Sequence, residues 1–405
     1  MRIVHVNFSD SEGGAAIAVK RTHELLLREG IDSNLVVIEN KKNFTNTYSL
    51  KQSLLTIIIT KIKKTLSRQL RLVFKTDNRS THSLNLIPSN LVKKINELNP
   101  DYVNLHWIGN ETISISDISK IKATIIWTLH DMWPFCGAEH YSNNQRYISG
   151  YTKFNKPIND SGIDLNKIVY DKKNKYYKHI SKIICSSDWI YKCAKESLLF
   201  NNKEIRKIPL LIDSNFWKPL DKNFSKKSLD INKDHKIILF GADNFINNER
   251  KGFKFLREVF KKFDDVNEYK ILLFGCNKEY NFTHINKNII NLGIINDEYT
   301  LRIAYSASDV VVVPSQIEAF GQVAYEAIHC GSPCVVFQNT GLTSIIDHEV
   351  NGYIVKENNV DDFLDGIKWC LNNKDLTQKS VYNNALEKFN YKKILNDYID
   401  FIKKH

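Results

Sequence analysis

Two glutamates, Glu318 and Glu326, are the side chains in this sequence whose type and spacing most suggest ligand chemistry. They bound the run EAFGQVAYE, which follows the apolar run DVVVV and precedes the apolar run CVVF. Carboxylates accept paired hydrogen bonds from adjacent hydroxyl groups, as a sugar or a ribose presents them. Gly321 lets the backbone approach a ligand, and a helix N-terminus here offers N–H groups. Two solvated glutamates beside an amphipathic helix are the alternative, and the strand–loop–helix–strand context favours a ligand site.

A second candidate is the cationic pair Arg250 and Lys251, which follows the apolar run KIILFGA. Two cations near the carboxyl end of a strand suit a diphosphate leaving group, because its negative charge grows as the bond to it breaks. The alternative is the basic start of an ordinary helix in a lysine-rich protein.

The N-terminal half places further candidates at the ends of predicted strands. Gly13 and Gly14 lie in the loop SDSEGG, which is too long and acidic for a dinucleotide fingerprint, and a loop glycine pair is usually only a turn. His130 and Asp131 end the run TIIWTL, and His106 ends YVNLH. A lone histidine near an apolar strand is more often structural than catalytic, although ligands of α/β sheets bind at strand ends.

The elements that must position these residues alternate short apolar runs with helix-length amphipathic segments, which predicts the α/β class with parallel sheets. The break PLLIDSNFWKP predicts a boundary, giving domains 1–212 and 213–387. A last helix, 388–405, closes the second domain or returns to the first. We predict strands at 2–7, 34–38, 102–106, 124–129, 182–186, 236–241, 270–275, 288–291, 309–313 and 334–337.

Composition indicates a globular, cytoplasmic protein. The 405 residues favour two domains, and 42% of them are hydrophobic and 25% charged. The start lacks a secretory h-region, and no stretch approaches the roughly 20 apolar residues that span a bilayer. The seven cysteines are scattered without CxxC spacing, so free thiols in a reducing compartment are expected rather than disulfides or a zinc site.

The formal charge of +12 is concentrated in one segment. Residues 41–79 hold seven lysines and three arginines against the single acid Asp77, a net +9. Within it, residues 52–73 place leucines and isoleucines at helical spacing, which suits an anionic membrane surface and equally a core-packing helix with a solvated basic face. Nucleic-acid binding is not expected, because no recognised motif accompanies the patch and its aromatic content is low.

The run EAFGQVAYEAIHCGSPCVVFQNTG resembles the donor-site signature of retaining GT-B glycosyltransferases of family GT4. The runs NFSDSEGGAAIAVKRTHELLLREGI, NLHWI, TLHDMWPF and RKGF resemble the branch similar to colanic acid and O-antigen biosynthesis transferases. The resemblance covers nearly the whole chain in the right order. It implies two Rossmann-like, doubly wound domains facing a central cleft, the first binding the acceptor and the second the nucleotide-sugar.

By this resemblance, Glu326 binds the ribose hydroxyls, Glu318 sits by the donor sugar and Lys251 contacts the phosphates. The implied catalytic residues are His130, Glu318 and Lys251. The implied donor-binding residues are Gly13, Gly14, Arg250, Lys251, Glu318, Ala319, Phe320, Gly321 and Glu326. The implied acceptor-side residues are His106, Asp131 and Tyr141.

The chain departs from the family pattern at Ala242, where many members carry an arginine after the strand glycine. A two-cation clamp then depends on Arg250. No D-x-D occurs in the sequence, and enzymes that hold a diphosphate through a divalent metal generally need one. The resemblance therefore implies no metal and no cofactor, with cations and helix dipoles in their place.

The expected activity is transfer of a hexose-type sugar from a nucleoside diphosphate to a glycan or lipid-linked saccharide, with retention of configuration, in bacterial surface polysaccharide biosynthesis. Retention needs no protein nucleophile if the leaving phosphate deprotonates the incoming hydroxyl. One alternative is an epimerase or hydrolase on the same fold. The other is a non-catalytic sugar-nucleotide or membrane-binding module, and Ala242 favours this second alternative. Peripheral attachment to the inner face of the cytoplasmic membrane is expected through residues 52–73. Donor base, sugar, acceptor and oligomeric state stay open.

Overall fold

The computed structural model describes residues 1–50, 62, 65–67, 69, 70, 72–142, 144–263, 268–356 and 358–404. Within them the chain forms two compact units, Met1–Leu211 with Ile394–His405, and Ile212–Lys393. Most of the predicted basic helix 52–73 lies outside the described residues. None of the described helices combines the length and apolar character that crossing a bilayer demands.

The first unit is built on a seven-stranded, wholly parallel sheet in the order β3-β2-β1-β5-β6-β8-β9. A two-stranded antiparallel pair, β4 and β7, lies apart from it. The strands are β1 Arg2–Ser9, β2 Asp32–Glu39, β3 Thr47–Ser49, β4 Phe74–Lys75, β5 Tyr102–Leu105, β6 Thr124–Leu129, β7 Ser161–Gly162, β8 Ile180–Cys185 and β9 Glu204–Lys207. The helices are Gly14–Arg28, Leu91–Glu97, Ile115–Ile118, Arg146–Ser149, Leu165–Tyr176, Asp188–Glu196 and Tyr391–Lys403, with a 3₁₀ turn at Tyr177–His179.

The second unit carries a six-stranded parallel sheet in the order β12-β11-β10-β13-β14-β15. Its strands are β10 Lys236–Gly241, β11 Tyr269–Phe274, β12 Ile289–Gly293, β13 Val310–Val313, β14 Cys334–Phe337 and β15 Gly352–Val355. Its helices are Lys222–Ser228, Phe253–Lys261, Glu298–Ala307, Gln322–His329, Val360–Asn372 and Gln378–Lys388, with 3₁₀ turns at Glu249–Lys251 and Gly341–Ser344. The α/β class and the two parallel sheets predicted from the sequence are confirmed.

The central strands explain why the sheets are parallel and covered on both faces. All four residues of Val310–Val313 are buried, as are all four of Cys334–Phe337. A strand without alternation between apolar and polar residues must be covered on both sides, which crossover helices do. The apolar runs thereby fix the strand ends at which the polar candidates lie.

The last helix, Tyr391–Lys403, packs on the first sheet. Tyr398 Oη accepts a hydrogen bond from Asn104 Nδ2 (2.8 Å), and Lys182 Nζ donates to the carbonyls of Phe401 (2.8 Å) and Ile402 (3.0 Å). A lysine at a helix C-terminus satisfies carbonyls that have no partner within the helix. The chain therefore ends on the unit in which it began.

Candidate functional site

The loop after strand β13 carries Glu318 and ends where the helix Gln322–His329 begins. Gly341 N donates to Glu318 O at 2.7 Å. A Cβ built on Gly341 would lie only 2.2 Å from Ala319 O, so this approach requires glycine. Gly321 has a φ of 106°, which other residues rarely adopt, and it is the N-cap of the helix. The loop backbone is thus fixed by two glycines.

The two cations stand on the 3₁₀ turn Glu249–Lys251, which packs against the same loop. The Arg250 guanidinium donates to Ile317 O at 2.7 Å. Gly252 ends the turn with a φ of 74°, and a Cβ there would lie 2.0 Å from Pro314 O. Contact between turn and loop therefore depends on the glycine of the run RKGF.

Arg250, Lys251 and Glu318 form an ion cluster, called here the cation cluster. Lys251 Nζ lies 2.6 Å from Glu318 Oε2, and Arg250 Nη1 lies 3.5 Å from the same oxygen. Burial alone raises the pKa of Glu318, but the Lys251 and Arg250 charges overcome it and hold that pKa at about 2. Glu318 is therefore an ionised acceptor at neutral pH and not a general acid. Burial lowers the pKa of Lys251, and the Glu318 and Asp243 carboxylates act against that shift.

Glu326 lies on the helix Gln322–His329 and is buried. Its Oε2 accepts a hydrogen bond from Tyr305 Oη at 2.9 Å. Ala319 and Phe320, between the two glutamates, are also buried, and the Phe320 ring contacts Tyr325 at a centroid distance of 4.9 Å. The two glutamates therefore differ, since Glu318 is held by cations and Glu326 by a neutral hydroxyl.

Ala242 occupies the place where many GT4 sequences carry an arginine, and it is buried in the apolar core of the second unit. Gly241 precedes it, and a Cβ there would lie 1.9 Å from the Phe274 ring. A Cβ on Gly275 would meet Ala242 O at 2.1 Å. Close backbone packing surrounds this position, and Arg250 is the second cation that the structure places on Glu318.

In the first unit, Gly13 precedes the helix Gly14–Arg28 with a φ of 84°. A Cβ added to Gly13 would meet no atom within 4 Å, so there is open space beside this residue. Glycine is therefore favoured here by its positive φ and not by close packing. A glycine N-cap supplies no side-chain acceptor to the first turn. This helix N-terminus can therefore receive an anionic or hydroxyl ligand.

His5, His106 and His130 form a row of hydrogen-bonded rings at strands β1, β5 and β6, called here the histidine chain. His5 Nδ1 lies 3.0 Å from His106 Nε2, and His106 Nδ1 lies 2.9 Å from His130 Nε2. Burial lowers the pKa of His5 to about 3 and that of His130 to about 4, and it holds that of His106 well below its ordinary value. All three rings are neutral at pH 7.

The proton positions in the histidine chain are coupled, because each ring-to-ring contact uses one proton. Nε2 of His5 is buried and has no hydrogen-bond partner among the described residues. A proton on that atom would be a buried donor without an acceptor, at a cost of about 1–3 kcal/mol. The favoured arrangement has His5 Nδ1 donating to His106 and His106 Nδ1 donating to His130. His130 then carries its proton on Nδ1, on the side away from the chain.

Asp131 does not extend the histidine chain. It is buried, and its Oδ2 accepts from His140 Nδ1 (2.6 Å) and Trp107 Nε1 (2.8 Å). Burial raises the pKa of Asp131, but His140, the Trp133 N–H and His130 together outweigh this, so the net pKa is lowered. His140 Nε2 in turn lies 2.7 Å from Ser83 Oγ. Asp131 is thus committed to holding the loop after strand β6.

Tyr141 lies in the same loop and is half-buried. Its carbonyl accepts from Asn78 Nδ2 (2.8 Å) and Ser80 Oγ (3.0 Å), and its ring lies 6.4 Å from that of Trp189. The structure therefore brings together His106 with His130, and Arg250 and Lys251 with Glu318. Within the described residues no group of three or more His, Cys, Asp or Glu side chains is arranged to hold a metal ion.

Sequence reasoning assigned no role to His5, Gly252, Gly341, Tyr305 or His140. His5 had a usable signal, because it is a polar residue inside the otherwise apolar run IVHV of a buried strand. The two glycines belong to the quoted runs RKGF and QNTG, but their contacts depend on loops distant in sequence. Nothing local marks Tyr305 as the partner of a glutamate on another helix.

Residues 221–387 match the family model described as Glycosyl transferases group 1. This match covers most of the second unit. The cation cluster, Glu326 and the loop that joins them all lie within the matched residues. The N-terminal candidates lie outside the matched residues.

Three curated relatives show how far the likeness extends. An uncharacterized glycosyltransferase of Methanocaldococcus jannaschii is 28% identical over 54% of this chain and 60% of its own length. An uncharacterized protein in the cps region of Klebsiella pneumoniae is 24% identical over 82% of this chain and 87% of its own. The UDP-Gal:alpha-D-GlcNAc-diphosphoundecaprenol alpha-1,3-galactosyltransferase of Escherichia coli is 28% identical over 31% of this chain and 34% of its own. The chain thus spans little more than half of the length of the Methanocaldococcus jannaschii relative.

Solved structures give the fold of the whole chain. WaaG, a glycosyltransferase involved in lipopolysaccharide biosynthesis, superposes with a TM-score of 0.68 at 12% identity, covering 100% of both chains. Anabaena HepE in complex with UDP and glucose superposes with a TM-score of 0.67 at 14% identity, covering 99% of this chain and 98% of HepE. These likenesses confirm the GT-B fold.

Proposed function

We propose that the protein is a retaining glycosyltransferase that moves a hexose-type sugar from a nucleoside diphosphate to a saccharide or lipid-linked acceptor. The observation that carries the proposal is the cation cluster beside a helix N-terminus at the end of strand β13, within the residues that match the group 1 glycosyltransferase model. A doubly wound sheet binds ligands at this kind of strand end. Two cations there suit a diphosphate.

In this proposal Lys251 and Arg250 stabilise the diphosphate as it leaves. Both cations now share Glu318 Oε2, so a phosphate oxygen competes with that carboxylate for them. Arg250 replaces the arginine that is missing at Ala242, because its guanidinium reaches the same carboxylate as Lys251. Glu318, with the backbone of Ala319 to Gly321, lies by the donor sugar.

Glu326 is proposed to bind the ribose. A carboxylate has two acceptor oxygens, and the Glu326 carboxylate accepts from Tyr305 Oη on Oε2 at 2.9 Å. Adjacent ribose hydroxyls are a matched pair of donors for it. Tyr305 then orients the carboxylate from the helix Glu298–Ala307.

The first unit is proposed to supply Gly13, Gly14 and His130 to the sugar and phosphates, and His106 and Tyr141 to the acceptor side. His130 acts as a neutral hydrogen-bond donor. Its Nε2 accepts from His106, so its own proton is on Nδ1, on the side of the ring away from His106. Asp131 acts by positioning, through His140 and Trp107, and does not contact substrate. This narrows the role that the sequence assigned to Asp131.

The proposed reaction proceeds on one face of the sugar and uses no metal. The bond from the anomeric carbon to the phosphate oxygen breaks, and the acceptor oxygen bonds to the same carbon. The departing phosphate takes the acceptor proton, so no protein base is required. Turnover is accordingly expected to be unchanged by EDTA.

The acceptor class is proposed from the relatives. One is encoded in a capsule (cps) region, and another is named for transfer to a diphosphoundecaprenol-linked sugar. We assign this protein to bacterial surface polysaccharide biosynthesis, on the cytoplasmic side and at the membrane surface. The colanic acid branch is part of this proposal and rests on the sequence runs of the first unit.

The test begins with a thermal-shift screen of UDP-, GDP- and ADP-sugars, since a ligand that binds the folded state raises its melting temperature. The best donor is then titrated against Glu326→Gln and Glu326→Ala. Glu326→Gln keeps the partner for Tyr305 but loses a charged acceptor, and we expect donor affinity to fall about tenfold or more. Glu258→Ala, an exposed position in the same unit, is the control. Unchanged donor affinity and turnover in both Glu326 variants would refute the donor-site assignment.

A non-catalytic sugar-nucleotide module is the second candidate, favoured by Ala242. It predicts donor binding with neither transfer nor hydrolysis. Incubating the donor with a panel of lipid-linked saccharides separates the two, because only the transferase releases nucleoside diphosphate in an acceptor-dependent manner.

A further inference from the structure

The first unit displays a cluster of exposed apolar side chains on segments 72–75 and 151–163, called here the hairpin surface. Phe154 is 99% exposed and Ile158 fully so. Large apolar side chains scattered singly on a surface are ordinary, whereas a contiguous group marks an interaction site. The remaining exposed apolar members are Leu72, Val73 and Ile163.

Strands β4 and β7 join the two segments of the hairpin surface. Phe74 pairs with Gly162 and Lys75 with Ser161 in antiparallel register. Ile163 N also donates to Val73 O at 3.2 Å. Phe74 itself is buried in the core of the first unit, so the pair is anchored while its neighbours stay exposed.

The loop that presents Phe154 and Ile158 is held by its own hydrogen bonds. Asn155 Nδ2 donates to Gly150 O (2.6 Å), and Asn155 Oδ1 accepts from Thr152 N (2.9 Å). Lys156 Nζ donates to Gly162 O (2.8 Å), which ties the loop to strand β7. The polar side chains thus turn inward to the backbone while the apolar ones face solvent, the reverse of an ordinary surface loop.

Charge identifies the kind of partner. The two segments extended to 72–79 and 151–163 carry four cations, Lys75, Arg79, Lys153 and Lys156, against Asp77 and Asp160. The preceding sequence, residues 61–71, adds five cations and no acid. Apolar side chains that enter the acyl region, ringed by lysines that meet anionic headgroups, are the features of an interfacial membrane site. Ile62, Leu66 and Leu70, just before the hairpin surface, are exposed as well.

We propose that the hairpin surface inserts Phe154 and Ile158 into the headgroup region of an anionic bilayer, with Lys75 and Lys153 on the lipid phosphates. This inference rests on the proposed function, because an enzyme that acts on a lipid-linked acceptor must be at the membrane. The attachment surface comprises residues 72–75 and 151–163. It is formed by two segments that a strand pair brings together.

The experiment is co-sedimentation of the full chain with vesicles of phosphatidylcholine containing about one third phosphatidylglycerol, and with vesicles of phosphatidylcholine alone. We expect binding to the anionic vesicles, weakened by salt, and little binding to the neutral ones. The variant Phe154→Asp with Ile158→Asp should lower the bound-to-free ratio at least about tenfold. Because both side chains are fully exposed, its melting temperature should match that of the wild type.

The matched control is Phe224→Asp with Val350→Asp, two exposed apolar residues of the second unit. This control adds the same negative charge and should bind like the wild type. Wild-type protein that stays in the supernatant overturns the proposal, as does equal binding by the hairpin variant or equal binding to neutral vesicles. No donor or acceptor is present, so a failed vesicle test leaves donor binding untouched, and failed donor binding leaves the vesicle result standing.

Discussion

The cation cluster of the second unit and the histidine chain of the first both bury ionisable side chains, but the cluster keeps them charged and the histidine chain keeps them neutral. Both place polar side chains in or after buried parallel strands. The cluster keeps its charges, because cations and carboxylate compensate one another's burial. The three rings of the histidine chain are neutral, because all three side chains are bases and none supplies a counter-ion to another. A charged site suits phosphate, and a neutral one suits hydroxyl groups.

The first prediction removes the charge from the charged site. Lys251→Ala should lower kcat/KM by about 10²–10³-fold, because a preorganised group that stabilises developing charge is worth about 3–4 kcal/mol. Lys254→Ala, an exposed lysine on the following helix, should stay near wild type. Steady-state kinetics with the donor found by thermal shift measure both. Equal losses in the two variants would mean that general positive charge, and not the cluster, matters.

A second prediction tests the backbone that holds the cluster. Gly252→Ala should destabilise the protein by about 2–3 kcal/mol, since it combines a strained φ with a Cβ 2.0 Å from Pro314 O. Gly30→Ala has a similar φ of 72° but meets nothing within 4 Å, so it should cost only about 1 kcal/mol. Urea denaturation of both variants compares them. If Gly30→Ala costs as much, the turn-to-loop contact contributes nothing.

The third prediction separates the two sites by pH. Burial lowers the pKa of His5 to about 3, so the unfolded chain binds a proton below about pH 6.5 that the folded chain does not. The wild type should therefore lose about 2 kcal/mol more unfolding free energy than His5→Leu between pH 7 and pH 5. Glu318 has its pKa lowered to about 2, so its contribution is lost only below its ordinary value near 4.5.

Urea denaturation at the two pH values, followed by tryptophan fluorescence, measures this difference. Glu258→Ala serves as a control, since an exposed carboxylate should leave the pH dependence parallel to that of the wild type. Parallel curves for wild type and His5→Leu would show that His5 is not a buried neutral base.

The smallest expected effect concerns the hydrogen bonds of the histidine chain. His106→Leu breaks both ring contacts and should lower kcat/KM about tenfold, whereas His106→Asn keeps a polar group near Nδ1 and should lose less than about threefold. Steady-state kinetics compare the two variants at equal stability. Similar losses would reduce His106 to a packing residue.

The sequence predicted the central strands well and the sheet edges poorly. Strands such as Val310–Val313 and Cys334–Phe337 are buried throughout, so their apolar runs stand out. The edge strands β3 and β9, with the sequences TYS and EIRK, have no buried residue and no apolar run, and neither was predicted. Edge strands pair on one side only and keep polar side chains, which removes the signal.

The residues of the candidate site were predictable from the sequence, but the contacts between them were not. Glu318 and Lys251 could be chosen from their positions after apolar runs, but they are separated by a long stretch of sequence, and their 2.6 Å contact depends on Gly252 and its approach to Pro314. The difference between Glu318 and Glu326 was also invisible, because it depends on which residues the fold brings to each carboxylate. Local patterns carry no such information.

The central claim is that Lys251 holds the diphosphate of the donor. Isothermal titration of the preferred nucleoside diphosphate and of its nucleoside, in wild type, Lys251→Ala and Lys254→Ala, tests it most directly. We predict that Lys251→Ala lowers the ratio of diphosphate to nucleoside affinity at least about tenfold, and that Lys254→Ala leaves this ratio unchanged. A ratio in Lys251→Ala equal to that of the wild type would contradict the claim.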